Sequence, residues 1–146
     1  MLTTNQKGAI AVTAITQAAL EVGYDVYRPM FEGGRYDLIF DTGERLMRVQ
    51  CKWAPLNGEV LVIRSYSSRR TADGLLRRPY VTGEFDALAA YCAAMGRCYL
   101  IPYETINGAV QLHLRLSPAR NNQQLGIRLA SHYEFGATLP QTALGP

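Results

Sequence analysis

The stretch that decides the fold runs Arg35-Tyr36-Asp37-Leu38-Ile39-Phe40-Asp41, turns at Thr42-Gly43, and returns as Glu44-Arg45-Leu46-Met47-Arg48-Val49-Gln50-Cys51-Lys52. Two apolar runs separated by an Asp-Thr-Gly turn predict a β-hairpin. Alternate residues of a strand share a face. Met47, Val49, Cys51 and Trp53 therefore point one way, and Arg48, Gln50 and Lys52 the other. With Asp37 at the end of the first run, a carboxylate, an amide oxygen and an ammonium converge on one side of the hairpin. Such a set suits a hard divalent cation and the neutralisation of a phosphate under attack.

Outward from the hairpin, Thr3 or Thr4 caps a helix expected to reach about Val22, with Ile10, Ala14, Ala18 and Val22 as its stripe, widened by Ile15 and Ala19. Gly23 ends it. Residues 24–29 read as a short strand, and Glu32-Gly33-Gly34 as a flexible turn leading to Asp37. Beyond residues 46–53, Asn57-Gly58 predicts a second hairpin turn into a strand over residues 60–63. Residues 64–79 then carry Arg64, Arg69, Arg70, Arg77 and Arg78 against the single acid Asp73, and read as a basic loop. Residues 86–92 and 97–102 pattern as strands, although the alanines of the first are equally compatible with helix. Residues 110–116 alternate, with Leu112, Leu114 and Leu116 on one face. A last helix is expected from Asn122 to about Tyr133, with Leu125, Leu129 and Ala130 as its stripe. The whole predicts an α/β (mixed α+β) domain over residues 1–135, a central mixed sheet flanked by helices, and a frayed tail over 136–146.

An acidic residue after a turn, then a strand ending in acid-or-amide, any residue, Lys, resembles the PD-(D/E)xK nuclease superfamily. Thr4-Asn5-Gln6-Lys7-Gly8 opening the first helix, Tyr36-Asp37-Leu38, Gln50-Cys51-Lys52, and Ser117-Pro118-Ala119-Arg120-Asn121-Asn122-Gln123 near the end narrow the likeness. Together they are similar to the group I intron-encoded homing endonucleases, with archaeal-type Holliday junction resolvases as cousins, over residues 3–133. The resemblance implies a restriction-endonuclease-like core and Mg²⁺-dependent (or Mn²⁺-dependent) hydrolysis of DNA. Asp37, Gln50 and the Cys51 carbonyl would hold the metal, and Lys52 would stabilise developing charge. The resemblance also expects a glutamate where this chain has Val12. Three readings follow: Glu21 or another acid substitutes, the site works with fewer ligands, or cleavage is lost and the protein only binds DNA.

Charge and composition fit a DNA partner without requiring one. The net charge is only +3, but arginine dominates the 15 basic residues, and its guanidinium suits bidentate phosphate contacts; a GC-rich coding bias gives the same imbalance. Candidate phosphate contacts are Lys7, Arg28, Arg35, Arg69, Arg70, Arg77 and Arg78, on double-stranded or branched DNA. Cutting both strands implies a homodimer or higher homo-oligomer, with the surface around Phe85-Asp86-Ala87-Leu88 or the last helix as the expected contact. Cys51, Cys92 and Cys98 are too few and scattered for a disulfide framework or a zinc site. With no signal-peptide pattern and no membrane span, a cytoplasmic protein is expected. His113 and His132 lie far apart, and the serines of residues 65–68 lack a nucleophile elbow, so acyl-transfer chemistry has no support.

Overall fold

Helix α1 (Thr4–Glu21) starts at a reciprocal cap. The Thr3 hydroxyl accepts from the Gln6 amide, and the Gln6 side chain accepts from the Thr3 amide at 2.8 Å, so two otherwise unpaired donors are satisfied. The computed structural model describes residues 1–118 and 127–135, without the side chains of Ser68, Arg69 and Arg70. The expected tail over 136–146 and the start of the expected last helix lie outside the described residues.

The strands are β1 (Asp25–Tyr27), β2 (Leu38–Asp41), β3 (Leu46–Trp53), β4 (Leu56–Asn57), β5 (Val60–Arg64), β6 (Tyr66–Thr71), β7 (Gly74–Pro79), β8 (Ala87–Cys92), β9 (Arg97–Pro102) and β10 (Gln111–Arg115), with a short helix α2 (Tyr103–Ile106) between the last two. The central sheet is mixed, in the order β1-β2-β3-β8-β9. Only the β3–β8 pairing is parallel within it. Helix α1 packs on one face: Ala11, Ile15 and Ala19 meet Leu38, Phe40, Met47, Val49, Cys51, Ala87, Ala89 and Leu100. On the other face Leu88, Ala90, Tyr99 and Ile101 meet Leu61, Ile63, Leu112 and Leu114 of a smaller sheet, ordered β10-β5-β4. The mixed α/β architecture is as expected, but a sheet rather than a second long helix covers this face.

Sandwiching explains β8. A central strand buried on both faces need not alternate, and its alanines let α1 approach closely on one side. Burial therefore overrides the helical propensity of this segment. The helix stripe is also displaced from expectation. Its buried centre is Ala11, Ile15 and Ala19, while Ile10 is exposed, because the 3.6-residue period puts these three squarely over the sheet.

Residues 64–79 form no loop. β6 and β7 pair in register from Tyr66↔Pro79 to Thr71↔Gly74, making a separate two-stranded ribbon. Positive φ at Gly74 (116°) accommodates the reversal after Asp73. Every β7 residue is exposed, so there was no apolar face for a sequence pattern to reveal. The expected last helix is also corrected in its described part. Leu129 makes a parallel bridge to Arg115, and Ala130–Tyr133 is a single 3₁₀ turn. Phe85, Ala87 and Leu88 are buried in the core of their own chain, which removes them as the expected subunit contact. Among the described residues no helix is long and apolar enough to cross a membrane.

Candidate active site

The β2–β3 hairpin is built as its sequence predicts. Its turn is closed by side chains: Asp41 Oδ1 accepts from the Gly43 amide, and Thr42 Oγ1 accepts from the Glu44 and Arg45 amides. Leu38 pairs with Val49 at the far end, and the Asp37 amide extends the ladder by donating to the Val49 carbonyl at 2.9 Å. Beyond that point the edge of β3 is open, and Asp37 fills it with its side chain. Asp37 Oδ2 accepts from the Cys51 amide at 2.8 Å. In a strand the N–H and C=O of one residue face the same edge, so the Cys51 carbonyl also faces the Asp37 side.

Asp37, Gln50 and Cys51 line one cavity of about 670 Å³, together with Gly8, Ala9, Val12 and Thr13 of α1 and Arg28, Phe31, Glu32 and Tyr36. Burial pushes the Asp37 carboxyl above its ordinary range; the Cys51 amide and the charges of Lys52 and Arg28 pull it down, and Glu32 pushes it up. A bound cation would relieve that penalty. The donor set of one carboxylate, one amide oxygen and one directed backbone carbonyl suits a hard divalent ion. Val12 stands in the cavity wall, where an aliphatic side chain offers no oxygen.

Lys52 lies on the same β3 face as Gln50, with its ammonium drawn aside. It donates to the Tyr66 carbonyl at 2.9 Å and sits 5.2 Å from the centre of the Tyr80 ring. Burial lowers its proton affinity, and the Asp37 charge opposes this. One donor is used and two remain. Tyr80 was not legible in the sequence: it lies at the end of the ribbon with no local pattern around it. Its burial, with the charges of Asp37 and Glu84 nearby, holds its phenol well above the usual range. Arg48, on the same strand face, is structural. Its guanidinium and amide bind the Asp86 carboxylate, and Nη1 donates to the Gly83 carbonyl.

The candidate phosphate-contacting residues separate by location. Arg28 lines the cavity. Lys7 lies over the Trp53 ring at 5.7 Å, beside the helix start. Arg35 belongs to a neighbouring hollow with Arg78 and Glu84. Within the ribbon, Arg77 stacks on Tyr66 at 5.0 Å, and Arg78 forms a two-pronged ion pair with the buried Glu84. The side chains of Arg69 and Arg70 lie outside the described residues. Glu21 is no substitute for a ligand at Val12, because it lines a different cleft of about 570 Å³ with Arg97, Cys98 and Glu134. Ser65 is buried, with its hydroxyl bound to the Ala109 carbonyl, and His113 is exposed beside Gln111. Cys51 and Cys92 are buried free thiols.

The PD-(D/E)XK endonuclease family model matches residues 2–136. The chain belongs to the PD-(D/E)XK endonuclease family. Among solved structures it is similar to that of a bacterial homing endonuclease, I-Ssp6803I, with 26% identity and a TM-score of 0.74, covering 91% of this chain and 89% of the other. Among curated proteins no sequence matches it. In this chain Asp37 precedes β2, and Gln50 and Lys52 share one face of the central strand β3.

Proposed function

We propose that this protein is a Mg²⁺-dependent DNA endonuclease, with Mn²⁺ able to replace Mg²⁺. The observation that carries the reading is the shared cavity of Asp37, Gln50 and Cys51, with the Lys52 charge acting on Asp37 from the adjoining position. Asp37, the Gln50 side-chain oxygen and the Cys51 carbonyl would hold the cation. A divalent cation bound there would supply polarisation of the phosphate and an activated water. Water adds at phosphorus, one P–O ester bond breaks, and a phosphate monoester and a free hydroxyl result. Lys52 offsets the charge that builds on the phosphoryl oxygens. Its anchorage on the Tyr66 carbonyl and Tyr80 fixes where that charge lies.

Arg28 at the cavity grips the phosphates beside the cut, with Lys7 and Arg35 as outlying contacts. The ribbon, carrying Arg69, Arg70, Arg77 and Arg78, tracks the backbone farther along the duplex. The likeness to a bacterial homing endonuclease over nearly the full length of both chains supports site-specific cutting of duplex DNA. Opposed cuts on two strands call for at least two copies of the chain. Incubation of the purified protein with supercoiled, genomic and four-way-junction DNA and Mg²⁺ or Mn²⁺ tests both activity and target. Cutting of duplex but not junction supports the homing-type reading, junction cutting replaces it with a resolving one, and no cutting of any substrate ends the endonuclease reading. A strict monomer by light scattering in the presence of DNA would remove the paired-copy reading.

Val12 in the cavity wall favours one second reading, a protein of this fold that binds DNA without cleaving it. Calorimetry separates the two: tight DNA binding with no heat from Mg²⁺ or Ca²⁺ supports the non-cleaving form.

A further inference from the structure

Among the described residues lining the Asp37 cavity there are two carboxylates, and they come from opposite ends of one segment. Asp37 is held by the Cys51 amide. Glu32 enters from the turn between β1 and β2. It makes no ion pair with Arg28 and accepts no hydrogen bond among the described residues. Gly33, with φ of +90°, follows directly; this left-handed conformation is one that a residue with a Cβ adopts poorly. A Cβ at Gly33 would meet nothing within 4 Å, so its conformation rather than crowding calls for glycine. Glu32 lines the cavity together with Gly8, Ala9 and Val12 of the helix wall.

The charge balance of the cavity points the same way. Asp37 supplies one negative charge, while Gln50 and the Cys51 carbonyl are neutral and Arg28 is positive. A hard dication is held mainly by anionic oxygen, and one carboxylate opposed by a guanidinium leaves little net attraction. The aliphatic wall at Val12 adds none. Glu32 restores the balance, and its field already reaches Asp37.

We infer that Glu32 is a metal ligand of this site, brought in from the Glu32-Gly33-Gly34 turn to supply the anionic oxygen that the α1 wall lacks at Val12. This rests on the metal-dependent reading above. It adds a ligand that sequence position alone does not indicate, and it explains how a cavity with an apolar helix wall retains a dication.

The test is a Mn²⁺ titration followed by electron paramagnetic resonance, which counts free ion whether or not DNA is cut. In 0.5 M KCl the Debye length is about 4 Å, so a distant charge contributes little. The proteins are the full chain, Glu32→Gln, Asp37→Asn, and Glu32→Gln combined with Val12→Glu. The inference expects Glu32→Gln to weaken Mn²⁺ binding by roughly tenfold or more, and the added Val12→Glu to recover most of that loss from the helix side. Circular dichroism should show all four folded, since Glu32 lies at an exposed turn. A loss under threefold in Glu32→Gln, with binding abolished in Asp37→Asn, overturns the role of Glu32 and leaves the site standing. Unchanged binding in Asp37→Asn overturns the site itself.

Discussion

Two hairpins in this molecule have similar reach and opposite construction. The β2–β3 hairpin lies inside the central sheet, with Leu38, Phe40, Met47 and Val49 buried beneath α1. Among the described residues the β6–β7 ribbon pairs with no other strand, and its second strand is exposed throughout. In the first, a one-residue slip would turn its apolar set away from the helix, so burial fixes the register. The second has no such penalty and is fixed at its base instead. Lys52 holds the Tyr66 carbonyl, and Arg78 holds Glu84. A buried hairpin can place an acid and a lysine to within a bond length. An exposed ribbon moored at one end can adjust to a partner.

The largest test of this contrast is catalytic. Asp37→Asn and Lys52→Ala should each lower cleavage by roughly 10²-fold or more, by analogy with loss of a single charge-stabilising group, while thermal unfolding shows the domain intact. A ribbon variant cut back to a short Gly-Ser link between Ser65 and Tyr80 should bind DNA weakly yet still unfold cooperatively. Unfolding of that variant would show that the ribbon supports the core.

Stability should separate the hairpins next. Val49→Ala removes buried methyl groups beneath α1 and should cost about 1–3 kcal/mol, whereas Leu75→Ala and Leu76→Ala on the ribbon should stay within about 0.5 kcal/mol. Urea unfolding measures both, and equal losses would erase the distinction.

A smaller effect reads the ribbon's charge. Replacing Arg69, Arg70, Arg77 and Arg78 by Gln should weaken binding to all DNA sequences alike. It should also flatten log K against log salt by up to about 0.9 per lost duplex phosphate contact. Arg78 is expected to contribute least, because Glu84 already engages it. A variant with unchanged affinity and slope would make the ribbon an ordinary solvated surface.

The smallest concerns acid. Partial burial pushes Asp86 upward, but hydrogen bonds and charge from Arg48, with Arg45, outweigh it and hold the carboxyl below its usual range. Hydrogen bonding to Arg78 likewise holds Glu84 low. A depressed folded value means the stabilisation is complete above the unfolded value, roughly pH 4–4.5, and is lost as pH falls through the lower folded value. Asp86→Asn should therefore flatten the fall in stability between about pH 5 and 3; an unchanged profile would discount the Arg48 contact.

Legibility followed the same divide. The shared strand face of Gln50 and Lys52, with Asp37 across the hairpin, was readable because a half-buried hairpin writes its pleat into the sequence, whereas the weight given to Gln50 and the attention drawn to Val12 came from the family resemblance alone. The ribbon was misread as a loop since a strand pair without a buried face has no alternation to display. Leu129 and Ala130 suggested a helix because a few apolar residues fit either period, and only the bridge to Arg115 decides between them. Glu32 and Tyr80 reach the site through a turn and a ribbon end, routes that carry no periodic signal.

The parallel junction of β3 with β8 has a consequence for how the chain reaches this state. Arg48 and Asp86, which clamp the two strands at their starts, are 38 positions apart, and residues 54–86 must travel out through the smaller sheet and the ribbon before β8 returns. α1, β1, β2 and β3 have short-range partners and can associate early. The centre of the sheet waits for a distant strand that must dock between β3 and β9. Dependence on such remote contacts slows refolding relative to a domain built from local contacts. During that interval the edge of β3 that later pairs with β8 is open to pairing with another chain.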